Sequence, residues 1–182
     1  MASQPVSLLV LSSAARADRL QPLLSGLGAR LAVETSTDPA QLRQLEPTTV
    51  LYVDSCDREL DEGEAAALLR FVQRGGGAVV AGDTLHTWRE SAPVTDLAGF
   101  VPDGRTVHAE LLLRDAAEAT LLGDRLPVHG TVHLLPHAPP GATSLVETTW
   151  QHENQVVAYS RPYGAGRFTF LGLQHDGDAY HD

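Results

Sequence analysis

The residues best suited to chemistry stand in short polar runs that follow apolar segments. Ser12-Ser13 follows PVSLLVL, Asp54-Ser55-Cys56 follows TTVLYV, Gly82-Asp83-Thr84 follows AVVA, and His175-Asp176 follows the last apolar run. An imidazole next to a carboxylate offers a general base or a metal ligand, because the carboxylate orients the ring and raises its pKa. Adjacent residues on an extended chain point to opposite faces, so His175 and Asp176 need a turn before they meet one ligand; a solvated tail is the alternative. The hydroxyls and carboxylates at the other three points can bind a small polar ligand, or can cap local helices and turns.

Other groups offer weaker chemistry. His129, His133 and His137 recur every four residues. On a strand that spacing separates the Cβ atoms by roughly 13 Å, too far for two ligands of one zinc ion. Gly130 and Pro136 argue against a helical metal site. A metal centre would therefore recruit His86, His175 or Asp176 from elsewhere in the fold. Trp88 and Arg89 can wall a sugar by stacking and hydrogen bonding, or Trp88 can anchor a long loop to the core. Cys56 has no sequence-adjacent base and reads as an inert thiol. Arg161, Tyr163 and Arg167 around Gly164-Ala165-Gly166 read as turn structure.

The elements that must position these residues are legible in the apolar pattern. Residues 5–11 form a buried strand that feeds a helix over residues 14–24. Residues 30–34 form a second strand, after which Asp38-Pro39 supplies a helix cap. Residues 48–53 form a third strand. The strongest helix signal starts at Asp61, with Glu64 three residues on in capping-box spacing. There Ala65, Leu68, Leu69 and Val72 make one apolar face, and Gly75-Gly76-Gly77 ends the helix before a fourth strand at residues 78–81. Polar loop is expected from Gly82 to Gly104, then a mixed stretch over 106–113 and a proline-rich segment. From residue 144 three strands, 144–150, 155–161 and 167–173, alternate with turns as an antiparallel meander.

Length and charge bound the rest. The 182 residues predict one domain spanning the chain. The 23 acidic and 13 basic residues give a net charge of -10, which disfavours nucleic acid. All 13 basic residues are arginine, so lysine Schiff-base chemistry is absent. No apolar run reaches the roughly 20 residues of a membrane span. The N-terminus lacks the basic and apolar regions of a signal peptide, so the expected location is the cytoplasm. Cys56 stands alone and makes no internal disulfide.

Two stretches together resemble the trehalose-utilisation (ThuA-like) family of the class I glutamine amidotransferase-like superfamily: VLYVDSCDRELDEGEAAALLRFVQRGGGAVVAG and VVAYSRPYGAGRFTFLGLQHDGD. The resemblance runs from about Thr48 to the end of the chain. It implies a flavodoxin-like three-layer α/β sandwich, with a mostly parallel sheet followed by C-terminal antiparallel hairpins. It implies a small-molecule ligand, a sugar or sugar derivative, and it favours a site role for His175-Asp176. The sequence departs from the family pattern in three places. Gly82-Asp83-Thr84 stands where relatives carry a histidine or a nucleophilic cysteine, Gln174 replaces the glycine before His175, and the middle acidic and tyrosine signature is missing.

Ligands of open α/β sheets bind at the carboxyl ends of the strands. The expected site is therefore a rim of Ser12, Asp54, Ser55, Gly82 and Thr84 with Trp88 beside it. In a catalytic version His175 acts as acid/base, oriented by Asp176 or Asp83. No cofactor is required, although zinc remains a candidate. The other readings are a non-catalytic binding or assembly domain and a metal-dependent hydrolase. Hairpins at a sheet edge make a homodimer the default assembly.

Overall fold

The structure, a computed structural model, describes residues 6–25, 31–102, 106–117 and 119–174. In chain order the elements are β1 (Val6–Ser12), α1 (Ala14–Ser25), β2 (Leu31–Ser36), a 3-10 helix (Pro39–Gln44), β3 (Thr49–Asp54), α2 (Glu62–Gln73), β4 (Gly77–Ala81), α3 (Gly82–Thr87), α4 (Ala92–Ala98), β5 (Thr106–Asp115), β6 (Leu126–His133), β7 (Thr143–Trp150), β8 (Glu153–Tyr163), β9 (Gly166–Leu171) and β10 (Leu173–Gln174).

The described strands form one mixed sheet in the order β10-β6-β5-β7-β8-β9-β4-β3-β1-β2. β2, β1, β3, β4 and β9 pair in parallel. All pairings from β9 through β8, β7, β5 and β6 to β10 are antiparallel. The fold is α/β, but the expectation of a mostly parallel sheet is corrected: among the described strands five pairings are antiparallel and four parallel. The reason lies in the connections. Parallel neighbours need a crossover of a dozen or more residues, and beyond Ala98 the described chain offers only turns and loops without a helix.

Alternation along β1 places helices on both faces of the parallel half. Leu8 and Val10 pack with Leu20 of α1, whereas Leu9 and Leu11 join the main core with Leu68, Phe71 and Val72 of α2 and Leu97 of α4. The start of α2 follows the sequence signal closely. The Asp61 carboxylate accepts the Glu64 N–H at 2.8 Å, and the Glu64 carboxylate accepts the Asp61 N–H at 3.0 Å. Arg58 closes a two-pronged ion pair on Glu64, at 2.8 and 2.7 Å.

Two local expectations change. Asp38 caps a 3-10 helix rather than an α-helix, its carboxylate accepting the Ala40 N–H at 2.9 Å. Pro47 follows within a few residues and biases Glu46 away from helical angles, so a longer helix has no room. The stretch expected as polar loop after Gly82 holds α3 and α4. Both are held by packing: Leu85, Trp88, Val94, Leu97 and Ala98 are buried. The proline-rich segment contains β6, whose Pro127 lies opposite Leu112 at the far end from the short β6–β10 pairing. A proline without an N–H is tolerated there because that stretch of β6 has no described partner on its other side.

Candidate functional site

The polar residues that follow β1, β3 and β4 meet at the carboxyl ends of these strands. Ser12 pairs in register with Asp54 at the carboxyl ends of β1 and β3. The Ser13 N–H donates to the Ser55 carbonyl at 3.1 Å. Ser55 has φ 56°, a left-handed conformation that is costly for a residue with a Cβ. Its hydroxyl bridges two carboxylates, at 2.7 Å from Asp83 and 3.1 Å from Asp54. The Asp83 carboxylate also accepts the Thr84 N–H at 2.7 Å, and Thr84 Oγ1 accepts the Cys56 N–H at 3.0 Å. The structure thus brings Ser12, Asp54, Ser55, Gly82, Asp83 and Thr84 together. Ser12, Asp54, Ser55 and Thr84 are buried, while Asp83 is half-buried.

His175 and Asp176 lie outside the described residues. The geometry before them is informative all the same. The His133 N–H donates to the Gly172 carbonyl and the Gly172 N–H to the Val157 carbonyl, each at 2.7 Å. These bonds bring the end of β6 against the start of α3. A Cβ added to Gly82 would stand 2.4 Å from His133 Cδ2 and 3.1 Å from its Nε2. The imidazole of His133 therefore fills the space that a side chain at the strand-to-helix turn would take. Sequence spacing placed His133 only in a histidine series, and its true neighbour depends on a pairing between distant segments.

That turn is also not strained. Ala81 has φ -74° and ψ 153°, and among residues 81–84 no side-chain-bearing residue has positive φ. The chain thus makes a relaxed entry into α3. Cys56, one strand away, is buried; burial is the main cause that pushes its thiol pKa up, outweighing the backbone hydrogen bond and charge of Arg58. A thiol held protonated is a poor nucleophile.

Trp88 corrects the expectation of an open stacking wall. Its side chain is buried, at 1% exposure, and its Nε1–H donates to the Arg58 carbonyl at 3.0 Å. The indole anchors the loop between β3 and α2, because burial in the main core removes its faces from solvent. It nonetheless takes part in lining a cavity of about 430 Å³, together with Glu59, Leu60, Glu62, Ser91 and Pro93. Ser91 Oγ is buried there with no partner among the described residues. Carboxylates beside apolar side chains can accept from hydroxyl groups while covering C–H faces. Sequence reasoning missed this cavity apart from Trp88, since its other walls depend on α3 and α4.

The remaining motifs are structural. Arg161 donates to the Asp96 carbonyl at 2.5 Å and the Leu97 carbonyl at 3.2 Å, at the C-terminal end of α4. Tyr159 donates to the Ala98 carbonyl at 2.7 Å, and Tyr163 to the Asp96 carboxylate. The histidine series does not converge: His133 packs on Gly82, His129 meets His108, and His137 is exposed. Among the described residues no three His, Cys, Asp or Glu side chains form a metal-binding group. No described helix is long and apolar enough to cross a membrane.

Comparison with known proteins places this architecture. A ThuA-like protein of Bacteroides uniformis superposes with a TM-score of 0.74 at 10% identity, covering 100% of this chain and 87% of that one. A second, from Parabacteroides merdae, gives 0.67 at 15% identity, with 98% and 82% covered. A β-galactosidase from Bacillus circulans gives 0.68 at 12% identity over 97% of this chain, but this chain spans only 29% of that enzyme. The fold is therefore that of the ThuA-like proteins. The sequence itself matches the family described as a domain of unknown function, DUF4350, over residues 14–175, and the chain belongs to that family. No curated protein sequence matches it.

Proposed function

We propose that this chain is a ThuA-like domain of the amidotransferase-like superfamily that binds a small polyhydroxyl ligand, a sugar or sugar derivative, without glutamine amidotransferase activity. The observation that carries the reading is the cavity of about 430 Å³ at the carboxyl-end side of the parallel strands, where Glu59 and Glu62 face an apolar floor of Leu60, Trp88 and Pro93. Its volume suits a ligand of one or two sugar rings. Glu90 lines the same cavity and supplies a further acceptor. The parallel order β2-β1-β3-β4-β9, with helices on both faces, supports a flavodoxin-like reading of that half. The buried thiol and the relaxed turn at Gly82 argue against amidotransfer. A cytoplasmic location fits the description of one structural neighbour, a cytoplasmic protein of Salmonella typhimurium with a TM-score of 0.65 and 13% identity, covering 96% of this chain and 91% of that one.

A thermal-shift panel of mono- and disaccharides tests the reading. A sugar at 100 times its dissociation constant adds about 2.7 kcal/mol, which raises the midpoint by roughly 5–10 °C in a domain of this size. Glu59→Gln and Glu62→Gln should each shrink the shift. A flat response across the panel overturns sugar binding. The second reading, an assembly domain, is favoured by the similarity to a 29% portion of a much larger β-galactosidase. It gains if sugars produce no shift while the chain forms a defined oligomer by light scattering.

A further inference from the structure

The cavity offered above as a sugar site is lined by charges of one sign. Glu59, Glu62 and Glu90 stand in its wall with Leu60, Ala65 and Pro93, and its described lining contains no arginine or histidine. The arginines nearby are spent on other carboxylates: Arg43 pairs with Asp61 at 2.5 Å, and Arg58 with Glu64 at 2.7 Å. Neither Asp61 nor Glu64 lines the cavity. Glu59 and Glu62 make no ion pair among the described residues, and Glu90 pairs only with the exposed Arg89, at 3.2 Å. Ser91, in the same lining, keeps a fully buried hydroxyl without a partner among the described residues, an unmade hydrogen bond in the wall that contact with a ligand would complete. We propose, resting on the sugar-binding reading, that the ligand is an amino sugar, its ammonium group held by Glu59 and Glu62 and its ring C–H groups covering the apolar side chains.

Charge decides between ligand classes here. A neutral sugar displaces water from two carboxylates and returns only hydroxyl hydrogen bonds, whereas an ammonium group returns charge-assisted ones. A sugar phosphate or sugar acid brings a further negative charge to a wall that has no cation to meet it. A bare metal ion finds carboxylates without a third ligand type, and no metal-binding group of three His, Cys, Asp or Glu forms among the described residues. A small amine without a ring leaves Leu60, Ala65 and Pro93 uncovered. The net charge of -10 adds a long-range attraction for cations.

Titration calorimetry of the full chain at pH 6.5 tests the inference with matched pairs: glucosamine against glucose, galactosamine against galactose, mannosamine against mannose. In the pair whose ring fits, the amine should bind about fivefold tighter at low salt, and the ratio should shrink in 0.5 M sodium chloride. N-acetylation, which removes the charge, should return the affinity to that of the neutral parent. The double variant Glu59→Gln, Glu62→Gln should bring the ratio close to one with an unchanged melting point, because both side chains are exposed. Equal or weaker binding of the amine in every pair that binds overturns the inference and leaves the sugar reading standing. So does ethanolamine binding as tightly as the amino sugar, or a ratio that the double variant leaves intact. Silence from all six sugars overturns both readings.

Discussion

The two halves of the sheet are built on different terms. In the parallel half, β1, β3 and β4 run beneath helices on two faces, so β1 is buried at five consecutive positions and its sequence reads as a continuous apolar run. In the antiparallel half the apolar cluster around Leu111, Leu113, Val132, Val146 and Val157 contains strand and loop residues only, with no described helix. β5 accordingly alternates, with Leu111 and Leu113 buried and Leu112 exposed. His108 and His129 meet on the opposite face of β5 and β6, which no described helix covers. The hydroxyl-carboxylate rim, by contrast, sits at the ends of helix-covered strands, where crossovers deliver Asp83 and Ser55 to one point. Helix-covered strands thus gather polar groups by converging loops, and the one-sided sheet gathers them by cross-strand register.

The joint between the halves is the sharpest place to break this arrangement. Gly166 opens β9, the strand that is parallel to β4 on one side and antiparallel to β8 on the other. A Cβ there would stand 2.2 Å from the Val72 carbonyl oxygen and 2.3 Å from that of Gly76. Both are backbone atoms at the end of α2 and cannot swing aside. Gly166→Ala should cost about 4 kcal/mol, the upper range for single substitutions, measured by urea unfolding. A cost below about 1 kcal/mol would show that the two halves are not locked through this contact.

How far the sequence foretold each half follows the same division. Asp61 and Glu64 announce α2 because a capping box is local chemistry, and the strands before and after it carry continuous apolar runs. α3 and α4 escape such a reading: each is too short for helical periodicity to show, and Trp88 and Leu97 hold them through tertiary packing. The rim residues were legible because the carboxyl-end rule needs only strand direction. The cavity walls at Glu59 and Ser91, the packing of His133 on Gly82 and the pairing of His108 with His129 were not, because each joins segments whose registry no local pattern encodes.

The one-sided covering of the antiparallel half can be sharpened with neighbouring leucines. Leu113 is 1% exposed and Leu112 is 46% exposed. Leu113→Ala should cost about 3 kcal/mol, through lost burial and the cavity left behind. Leu112→Ala should change stability by less than about 0.5 kcal/mol. Similar costs for the two, in the same unfolding experiment, would mean that something covers the outer face.

A loss smaller than that of Leu113→Ala tests the electrostatic lock on the helix-covered half. Arg58, by its hydrogen bonds first, holds the Glu64 carboxyl below the usual range, against the opposing effect of burial, with the Asp61 N–H adding to the lowering. A depressed folded-state pKa means that the native protein favours the ionised form. The associated stability is complete above the ordinary glutamate value of about 4.3 and is lost as pH falls through the lower folded value. Glu64→Gln keeps an acceptor for the Asp61 N–H, so the cap survives, but it turns amide hydrogens toward the Arg58 guanidinium. It should cost about 1–2 kcal/mol at pH 7, moderated because half of the Arg58 side chain faces water. The gap between variant and wild type should stay constant from pH 7 to about 5 and close below about 4. A gap that persists unchanged to pH 2 in acid-unfolding curves would assign the loss to packing at the α2 entry rather than to the Arg58–Glu64 charge pair.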